Sequence, residues 1–419
     1  MHPAGCDVLL KSRGWTADVL VVSWLPTGGR LEVTMSNVPT STTPRHVPVH
    51  SRLAVRAGAA LAVVSLAVAG GASAALSAGA PSAPALTAAR VAAATTADTN
   101  PLAGHRWGVY KGNAEQSWPP YVSSTGADRE LLAKISLRPK AKWFGKWISN
   151  ATIGEKVRQY IDNSTGGDPD VLVQMTVFRM VPWEHDTCKR LPTAAEQASY
   201  KQWTDRAAAA IGSAHVALIL QPDGPFALCA PNGSTLPSQL IAYSAKRFSA
   251  LPHTSVYIDA GAYDWPKDNP VEAARILMPA GIEYARGFAL NSTHYESTAH
   301  NIYFGSRLVN ELTRRGVPGT HFVVNTAQNG KPFEFKDARG SHPDNAKVCE
   351  TKTETVCVTL GIPPTTHVAR PAWGLSANNQ ARATRLVDGY LWFGRPWLFM
   401  QADPFDLTRA LAVARTTPY

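Results

Sequence analysis

The clearest structural signal in this sequence is the apolar segment His215-Val-Ala-Leu-Ile-Leu220, which is followed at once by Gln221-Pro-Asp223. An unbroken apolar run of this length, rich in branched residues, is typical of a strand buried on both faces in a parallel sheet. The proline next to an aspartate marks the end of the strand. We therefore expect Asp223 to lie at the carboxyl end of a buried strand.

Similar apolar runs lie on both sides of this segment, and amphipathic stretches separate them. The other predicted strands are Val171–Phe178, Ser255–Asp259, Gly287–Asn291 and His321–Asn325. The predicted helices are Ala194–Ile211, Leu236–Leu251, Val271–Met278 and Thr298–Arg315, with Trp203 on the apolar face of the first. Strands that alternate with helices in this way predict an α/β fold with a parallel sheet.

Four polar residues, Asp223, Asp259, Asn291 and Asn325, each stand at or just past the end of a predicted strand. Taken singly, aspartate and asparagine at such positions often begin turns or cap helices. On successive strands they favour an α/β barrel, whose active sites are built where the strands end.

The first hundred residues have a different composition. Residues 57–76 form an apolar run rich in Ala and Gly, preceded by Arg45, Arg52 and Arg56 and containing a cleavage-like Ala72-Ser-Ala74. This pattern predicts a secretory signal, with a single membrane anchor as the alternative. We expect an extra or untranslated leader over 1–34, the signal over 35–74, an Ala/Pro/Ser/Thr linker over 75–99 and the folded domain over 100–419.

The composition limits the possible partners. Apolar residues make up 45% and charged residues 17% of the chain, which is enough for a large core. The formal charge is +10, but no long Lys/Arg run is present, so we do not expect nucleic-acid binding. The short basic cluster Lys140–Lys146 is interpreted as a solvated helix or loop face.

The cysteines indicate the redox environment. Beyond the leader the chain contains Cys188, Cys229, Cys349 and Cys357, an even number that predicts disulfides in an exported protein. A zinc site is the alternative, but no C-x-x-C pair or suitably spaced histidine pair accompanies these cysteines. We expect neither a metal nor a cofactor.

Several separate blocks carry a family resemblance. They are Ala217-Leu-Ile-Leu-Gln-Pro-Asp223, Tyr257-Ile-Asp-Ala-Gly261 followed by Trp265, Ala280-Gly-Ile-Glu-Tyr-Ala-Arg-Gly-Phe-Ala-Leu-Asn291, His321-Phe-Val-Val-Asn-Thr-Ala-Gln-Asn-Gly330, and Val387-Asp-Gly-Tyr-Leu-Trp392 with Gly394-Arg-Pro-Trp397 and Gln401-Ala-Asp-Pro404. In this order and spacing they resemble glycoside hydrolase family 6, the inverting cellulases, over about residues 100–419. The resemblance implies a distorted or incomplete TIM-like β/α barrel with parallel strands.

The resemblance also implies roles for four aspartates. Asp223 matches the general acid, Asp259 the second strand-end aspartate, and Asp403 the remaining catalytic carboxylate. Where the family has Arg-Asp-Cys, this sequence has His185-Asp-Thr-Cys188, so Asp186 is the expected pKa-tuning and proton-relay residue, displaced by one position. Glycoside hydrolysis needs such a pair, because one carboxyl protonates the leaving oxygen and another activates water.

Substrate contacts and disulfide pairs are expected around these aspartates. The candidates for sugar binding are Trp107, Trp265, Trp373 and Trp397 as stacking surfaces in rim loops, together with Asn291, Asn325 and Arg395. We expect a Cys188–Cys229 bridge, because both cysteines follow strand ends next to the proposed site. A Cys349–Cys357 bridge would close a short loop.

The function predicted from the sequence is that of a secreted, monomeric, endo-acting β-1,4-glucanase that uses an inverting mechanism. Its expected partner is a β-1,4-glucan polysaccharide or oligosaccharide, with no nucleic acid and no stable membrane association after signal cleavage. The alternative is a glucan-binding protein that keeps the barrel and has lost turnover. A metal-dependent hydrolase would require a ligand cluster that the sequence does not show.

Overall fold

A computed structural model describes residues 99–419 of the chain. The predictions for the leader, the signal and nearly all of the linker therefore lie outside the described residues. No helix within residues 99–419 is long and apolar enough to cross a membrane.

A parallel sheet forms the centre of the molecule. Its seven strands within residues 99–419 are β1 (Lys142–Gly145), β2 (Val173–Phe178), β3 (Val216–Leu220), β4 (Thr254–Asp259), β5 (Gly287–Leu290), β6 (His321–Asn325) and β7 (Val387–Leu391). They pair in sequence order, β1-β2-β3-β4-β5-β6-β7, and every pair is parallel. All strands therefore end at the same edge of the sheet.

Nine helices surround this sheet within residues 99–419, and most of them cover its outer face. They are α1 (Trp118–Ser123), α2 (Gly126–Ser136), α3 (Ile153–Thr165), α4 (Ala194–Ile211), α5 (Leu236–Ser249), α6 (Pro270–Leu277), α7 (Thr298–Arg314), α8 (Ala377–Leu386) and α9 (Leu407–Thr416). α4 begins with a capping box, in which Thr193 and Glu196 each bind the other's backbone N–H. Trp203 of the same helix is completely buried, as its place on the apolar face predicts.

The sheet curls until its two edges meet. Just before β1 the Ala141 N–H donates to the Trp392 carbonyl beyond β7 at 2.8 Å, and the Trp143 indole N–H donates to the Phe393 carbonyl, also at 2.8 Å. Side chains that point inward, among them Ile219 and Val323, fill the centre as a separate apolar cluster. The fold is therefore the predicted distorted α/β barrel with a packed interior.

A buried polar cluster closes the amino ends of the strands. The Asp388 carboxylate in β7 accepts hydrogen bonds from the Arg286 guanidinium at 2.8 and 3.0 Å and from the Tyr257 hydroxyl at 2.7 Å. His321 lies beside it, with its Nδ1 atom 3.1 Å from the carboxylate. Because these groups satisfy one another, this end of the barrel contributes to structure.

The predicted elements agree closely with the observed ones. All five predicted strands and all four predicted helices are present, with ends that differ by two residues or fewer. The interpretation of Lys140–Lys146 as a solvated helix or loop face is wrong, because Lys142–Gly145 is the edge strand β1. Four residues are too few to show a clear hydrophobic period in the sequence. The segment forms a strand because it pairs with β2.

Candidate active site

Asp223 lies just beyond β3, at the carboxyl edge of the sheet. The backbone turns sharply here, because Gln221 and Asp223 both have positive φ, 55° and 65°, which is unfavourable for residues with a Cβ. Thr293, which follows β5, donates its hydroxyl to Asp223 Oδ1 at 2.8 Å. Burial, and next the nearby Asp259 carboxylate, raise the pKa of Asp223 to about 7. At neutral pH this carboxyl can therefore hold a proton and donate it.

Asp259 is the last residue of β4, and only 1% of it is exposed. Its Oδ1 accepts the N–H groups of Gly224 and Gly261 at 2.9 and 3.0 Å, and its Oδ2 accepts the Ser292 hydroxyl. Burial raises the pKa of Asp259 to about 6, although these hydrogen bonds oppose the shift. Gly224 must be glycine, because a Cβ there would lie 2.3 Å from the Asp259 carbonyl oxygen. Asp259 therefore fixes the backbone just after Asp223 through the Gly224 N–H. Its carboxylate also places negative charge near the Asp223 carboxyl.

Asp403 and Arg395 approach from the segment after β7. Burial lowers the pKa of Arg395 to about 9, and the negative charges of Asp403 and Asp223 oppose that shift. The guanidinium therefore lies within electrostatic range of both carboxyls. Asp403 itself is exposed, so water can reach it. One desolvated carboxyl and one solvated carboxylate can supply an acid and a base on the two sides of a scissile bond.

The structure does not place Asp186 beside Asp223, as its predicted role would require. Its side chain is 70% exposed and pairs with Lys189 at 2.9 Å, so it points into solvent. The carboxylate of this loop that raises the pKa of Asp223, after burial and Asp259, belongs to Glu184. Glu184 has a φ of 57°, which turns the chain at this point. The sequence alone did not reveal this role, because two carboxylates on one short loop cannot be ranked without the backbone.

The two asparagines at the strand ends, which the sequence predicted to bind sugar, hold the barrel rim together through backbone hydrogen bonds. Both are completely buried. Asn291 Nδ2 donates to the carbonyls of Glu296 and Asn325 at 3.1 and 3.2 Å. Asn325 Oδ1 accepts the N–H groups of Phe393 and Gly394 at 3.1 and 3.0 Å. The side-chain amides of both residues therefore form hydrogen bonds with backbone atoms at neighbouring strand ends.

Trp265 is the predicted tryptophan that the structure places beside the acids. Its ring stacks on His294 at 5.3 Å, and His294 stacks in turn on Phe335 at 4.5 Å. Asp264 fixes this stack, since its carboxylate contacts His294 Nδ1 at 2.8 Å and accepts the Phe335 N–H at 2.7 Å. His294 also interacts electrostatically with Asp223. A partly exposed indole held rigidly in this way is suited to stacking on a sugar ring.

The structure places Trp107 and Trp373 away from these acids and so does not support their prediction as sugar contacts. Trp107 pairs with Leu172 just before β2 and packs against the interior apolar cluster, at the amino ends of the strands. Trp373 donates its indole N–H to the His367 carbonyl at 2.7 Å and packs edge-on against Tyr419. Neighbouring Pro and Gly residues predicted that both tryptophans lie in loops at the active-site rim. Such residues indicate a loop, but they do not indicate at which end of the barrel the loop lies.

A cavity of about 350 Å³ lies between β1 and the segment after β7. Trp397 lines it but is only 2% exposed, so it forms a wall and not an open surface. Trp143 also lines it, and the Arg395 guanidinium covers the Trp143 ring at 3.9 Å. Trp147, with 57% exposure, stands at the same cavity and offers an accessible indole. The sequence prediction missed both Trp143 and Trp147, because it did not recognise β1.

Both predicted disulfides are present in the structure. Cys188 and Cys229 are joined with Cα atoms 4.8 Å apart, and Cys349 and Cys357 with Cα atoms 4.9 Å apart. The first links the loop of Glu184 to the loop of Asp223, and the Trp183 indole N–H adds a hydrogen bond to the Pro222 carbonyl at 2.8 Å. Glu184 is thereby held near Asp223. Within residues 99–419 no cluster of His, Cys, Asp and Glu could hold a metal ion.

The geometry defines a protein of the parallel α/β-barrel class whose acidic site lies at the carboxyl ends of the strands. The model of the glycosyl hydrolases family 6 matches residues 107–374. The chain belongs to this family, which confirms the resemblance found in its sequence.

Named relatives agree with this assignment. Endoglucanase A of Cellulomonas fimi is 30% identical over 226 residues, which cover 53% of this chain and 47% of that protein. Endoglucanase 1 of Streptomyces halstedii is 31% identical over 223 residues, covering 51% of this chain and 65% of the relative. The matches thus span between about half and two thirds of the relatives' own lengths.

A solved structure shows the same architecture. An endoglucanase from Mycobacterium tuberculosis, in complex with methyl-cellobiosyl-4-deoxy-4-thio-β-D-cellobioside, superposes with a TM-score of 0.59 and 24% identity. The match covers 76% of this chain and 99% of the other. This similarity supports the distorted barrel fold.

Proposed function

We propose that this protein is a secreted, monomeric hydrolase that cleaves internal β-1,4-glucosidic bonds of a glucan chain with inversion. The observation that carries the proposal is the Asp223 carboxyl, which burial and Asp259 keep protonated near neutral pH. An inverting hydrolase needs such an acid opposite a carboxylate that activates water. Family membership and the endoglucanase relatives support the choice of substrate.

In the proposed mechanism Asp223 donates its proton to the leaving glycosidic oxygen. Asp403, exposed to water, accepts a proton from the water molecule that attacks the anomeric carbon from the opposite face. Asp259 stabilises the positive charge that develops on the sugar ring, and Arg395 places its positive charge near Asp403. Trp265 supports a sugar on one side of the scissile bond and Trp147 on the other.

The decisive experiment replaces the acid by its isostere. Asp223→Asn should lower kcat on unactivated glucan by about 10²–10⁴-fold, the usual contribution of general acid catalysis. The loss should be much smaller on aryl cellobiosides with good leaving groups, since these need little protonation. Equal losses on both substrates would refute the role of Asp223 as acid. A folded wild-type protein that binds cello-oligosaccharides without cleaving them would instead favour the non-catalytic reading.

Stereochemistry tests the mechanism independently of any mutation. An inverting site separates its carboxyls by about 6.5–9.5 Å to admit water, and a retaining site by about 5–5.5 Å. We expect proton NMR of the first-formed product from a β-linked oligosaccharide to show the α-anomer. An initial β-anomer would contradict the assignment of Asp403 as base.

A further inference from the structure

Five charged side chains line the cavity between β1 and the segment after β7. Its lining includes the cations Lys140, Lys142 and Arg395 and the carboxylates Glu115 and Asp403. Lys140 and Glu115 are both buried and form an ion pair at 3.5 Å, so they neutralise each other. The remaining lining carries two cations against one exposed carboxylate, which leaves a net positive charge.

These two cations have no carboxylate in direct contact. In the part of the chain that the structure describes, neither Lys142 nor Arg395 has a carboxylate oxygen within 4 Å, and the exposed Asp403 attracts both cations from a greater distance. The Lys142 ammonium donates to the Ala114 carbonyl and lies 5.7 Å from the Tyr110 ring centre. Desolvation lowers the pKa of both cations. A partly buried cation that no carboxylate contacts is only partly compensated, and an incoming anion in direct contact would stabilise it further.

The same wall also contains donors that have no acceptor. Arg395 Nε and the Trp397 indole Nε1 are both buried and have no hydrogen-bond partner among the described residues. Guanidinium, ammonium and indole groups can donate but cannot accept. A ligand that satisfies this wall must therefore bring acceptors, and the positive charge favours acceptors that are negatively charged.

We propose that this cavity binds a carboxylate carried by the sugar chain, so that the protein prefers an acidic β-glucan with a uronosyl unit next to the cleavage point. This inference rests on the proposed function as a glucan hydrolase and adds the class of substrate. A cavity of about 350 Å³ is within the range of small-molecule sites, about 300–1,000 Å³, and exceeds the needs of a bare inorganic anion. Trp147 offers the apolar surface that a sugar ring requires, whereas a free anion would not use it.

Binding measured without turnover tests this inference. In the Asp223→Asn protein, tryptophan fluorescence would give Kd for a cello-oligosaccharide, for the same oligosaccharide oxidised at C6 to uronosyl units, and for inorganic phosphate. We expect the oxidised chain to bind about tenfold more tightly than the neutral one at low salt, with the preference falling as ionic strength rises. Adding Lys142→Gln should reduce the preference towards one. Lys189→Gln removes an exposed cation on another loop and should leave it unchanged.

The outcomes separate this inference from the proposed function. Equal affinity for the neutral and oxidised chains, or a preference that survives Lys142→Gln, overturns the inference. Phosphate that binds while the oxidised chain gains no advantage also overturns it, because the site would then accept free anions only. Hydrolysis of the neutral chain by the unmutated protein is scored separately, and its absence would count against the proposed function alone.

Discussion

At the scale of single residues, the environment of a side chain decides its chemistry more than its type. Asp223, Asp259 and Asp186 are the same amino acid at three positions beyond or at the ends of neighbouring strands. Burial raises the pKa of the first two to about 7 and about 6, whereas the Lys189 ammonium lowers the pKa of the exposed Asp186. Only a carboxyl of the first kind can serve as an acid near neutral pH.

Glu184 and Asp186 form a matched pair for testing this reasoning. Removing the charge of Glu184 makes ionisation of Asp223 easier and lowers its pKa. The acid form is then lost at lower pH, so Glu184→Gln should move the alkaline limb of the kcat/KM profile to lower pH. Asp186→Asn, two positions away, should leave the limb where it is. Equal movement in both variants, or a shift in Asp186→Asn alone, would contradict the reassignment.

At the scale of elements, the rim depends on side chains that replace strand pairing where the strands end. At the end of β6 the Asn325 amide replaces backbone pairing between strands. It accepts two N–H groups after β7 and donates to the Asn291 carbonyl after β5 at 2.9 Å. Gly394, one of these partners, immediately precedes Arg395. The asparagine therefore links the core of the sheet to the position of a site residue.

Asn325→Ala should be strongly destabilising. It removes the acceptor of buried N–H groups and leaves them unsatisfied, which costs about 1–3 kcal/mol for each group. We expect the free energy of unfolding to fall by about 3–5 kcal/mol in urea titrations at constant m value. Asn163→Ala is the control: Asn163 is exposed, and its bonds to the Lys111 backbone can be replaced by water, so a loss below about 1 kcal/mol is expected. Similar losses in both variants would contradict the role given to Asn325.

At the scale of the whole molecule, the two ends of the barrel divide structure from chemistry. At the amino ends Asp388 is matched by Arg286, Tyr257 and His321. At the carboxyl ends carboxyls are buried with few cationic partners, which is unfavourable for folding when they ionise. The buried carboxyls that the reaction requires therefore lower the free energy of unfolding.

This effect of burial predicts how stability depends on pH. The pKa of Asp223 is about 7 in the folded protein and has an ordinary value of 3.8. Between these values the unfolded chain is ionised while the folded one holds its proton, so stability falls as pH rises from about 4 to about 7. Asp223→Asn removes this contribution and keeps the oxygen that accepts the Thr293 hydroxyl.

Thermal unfolding at two pH values checks this prediction. The Asp223→Asn variant should unfold at a higher Tm than the wild type at pH 8 and at nearly the same Tm at pH 4. A matched change at Asp186, whose exposed carboxylate pairs with Lys189, should show no gain at pH 8. A gain of equal size at both pH values would mean that the effect does not come from ionisation.

The alternation of apolar strands and helices, the parallel barrel, the family and the strand-end positions of Asp223 and Asp259 all follow from the sequence. These features depend on local periodicity and on residues close together in the chain, which a sequence displays directly. The tertiary structure decided which carboxylate of its loop lies near Asp223, which tryptophans reach the cavity, and that the Asn325 amide binds backbone atoms. Those outcomes depend on contacts between distant segments, such as the hydrogen bond from Trp143 to Phe393, 250 residues apart. Burial and charge at such contacts are set by packing, and no local pattern records them.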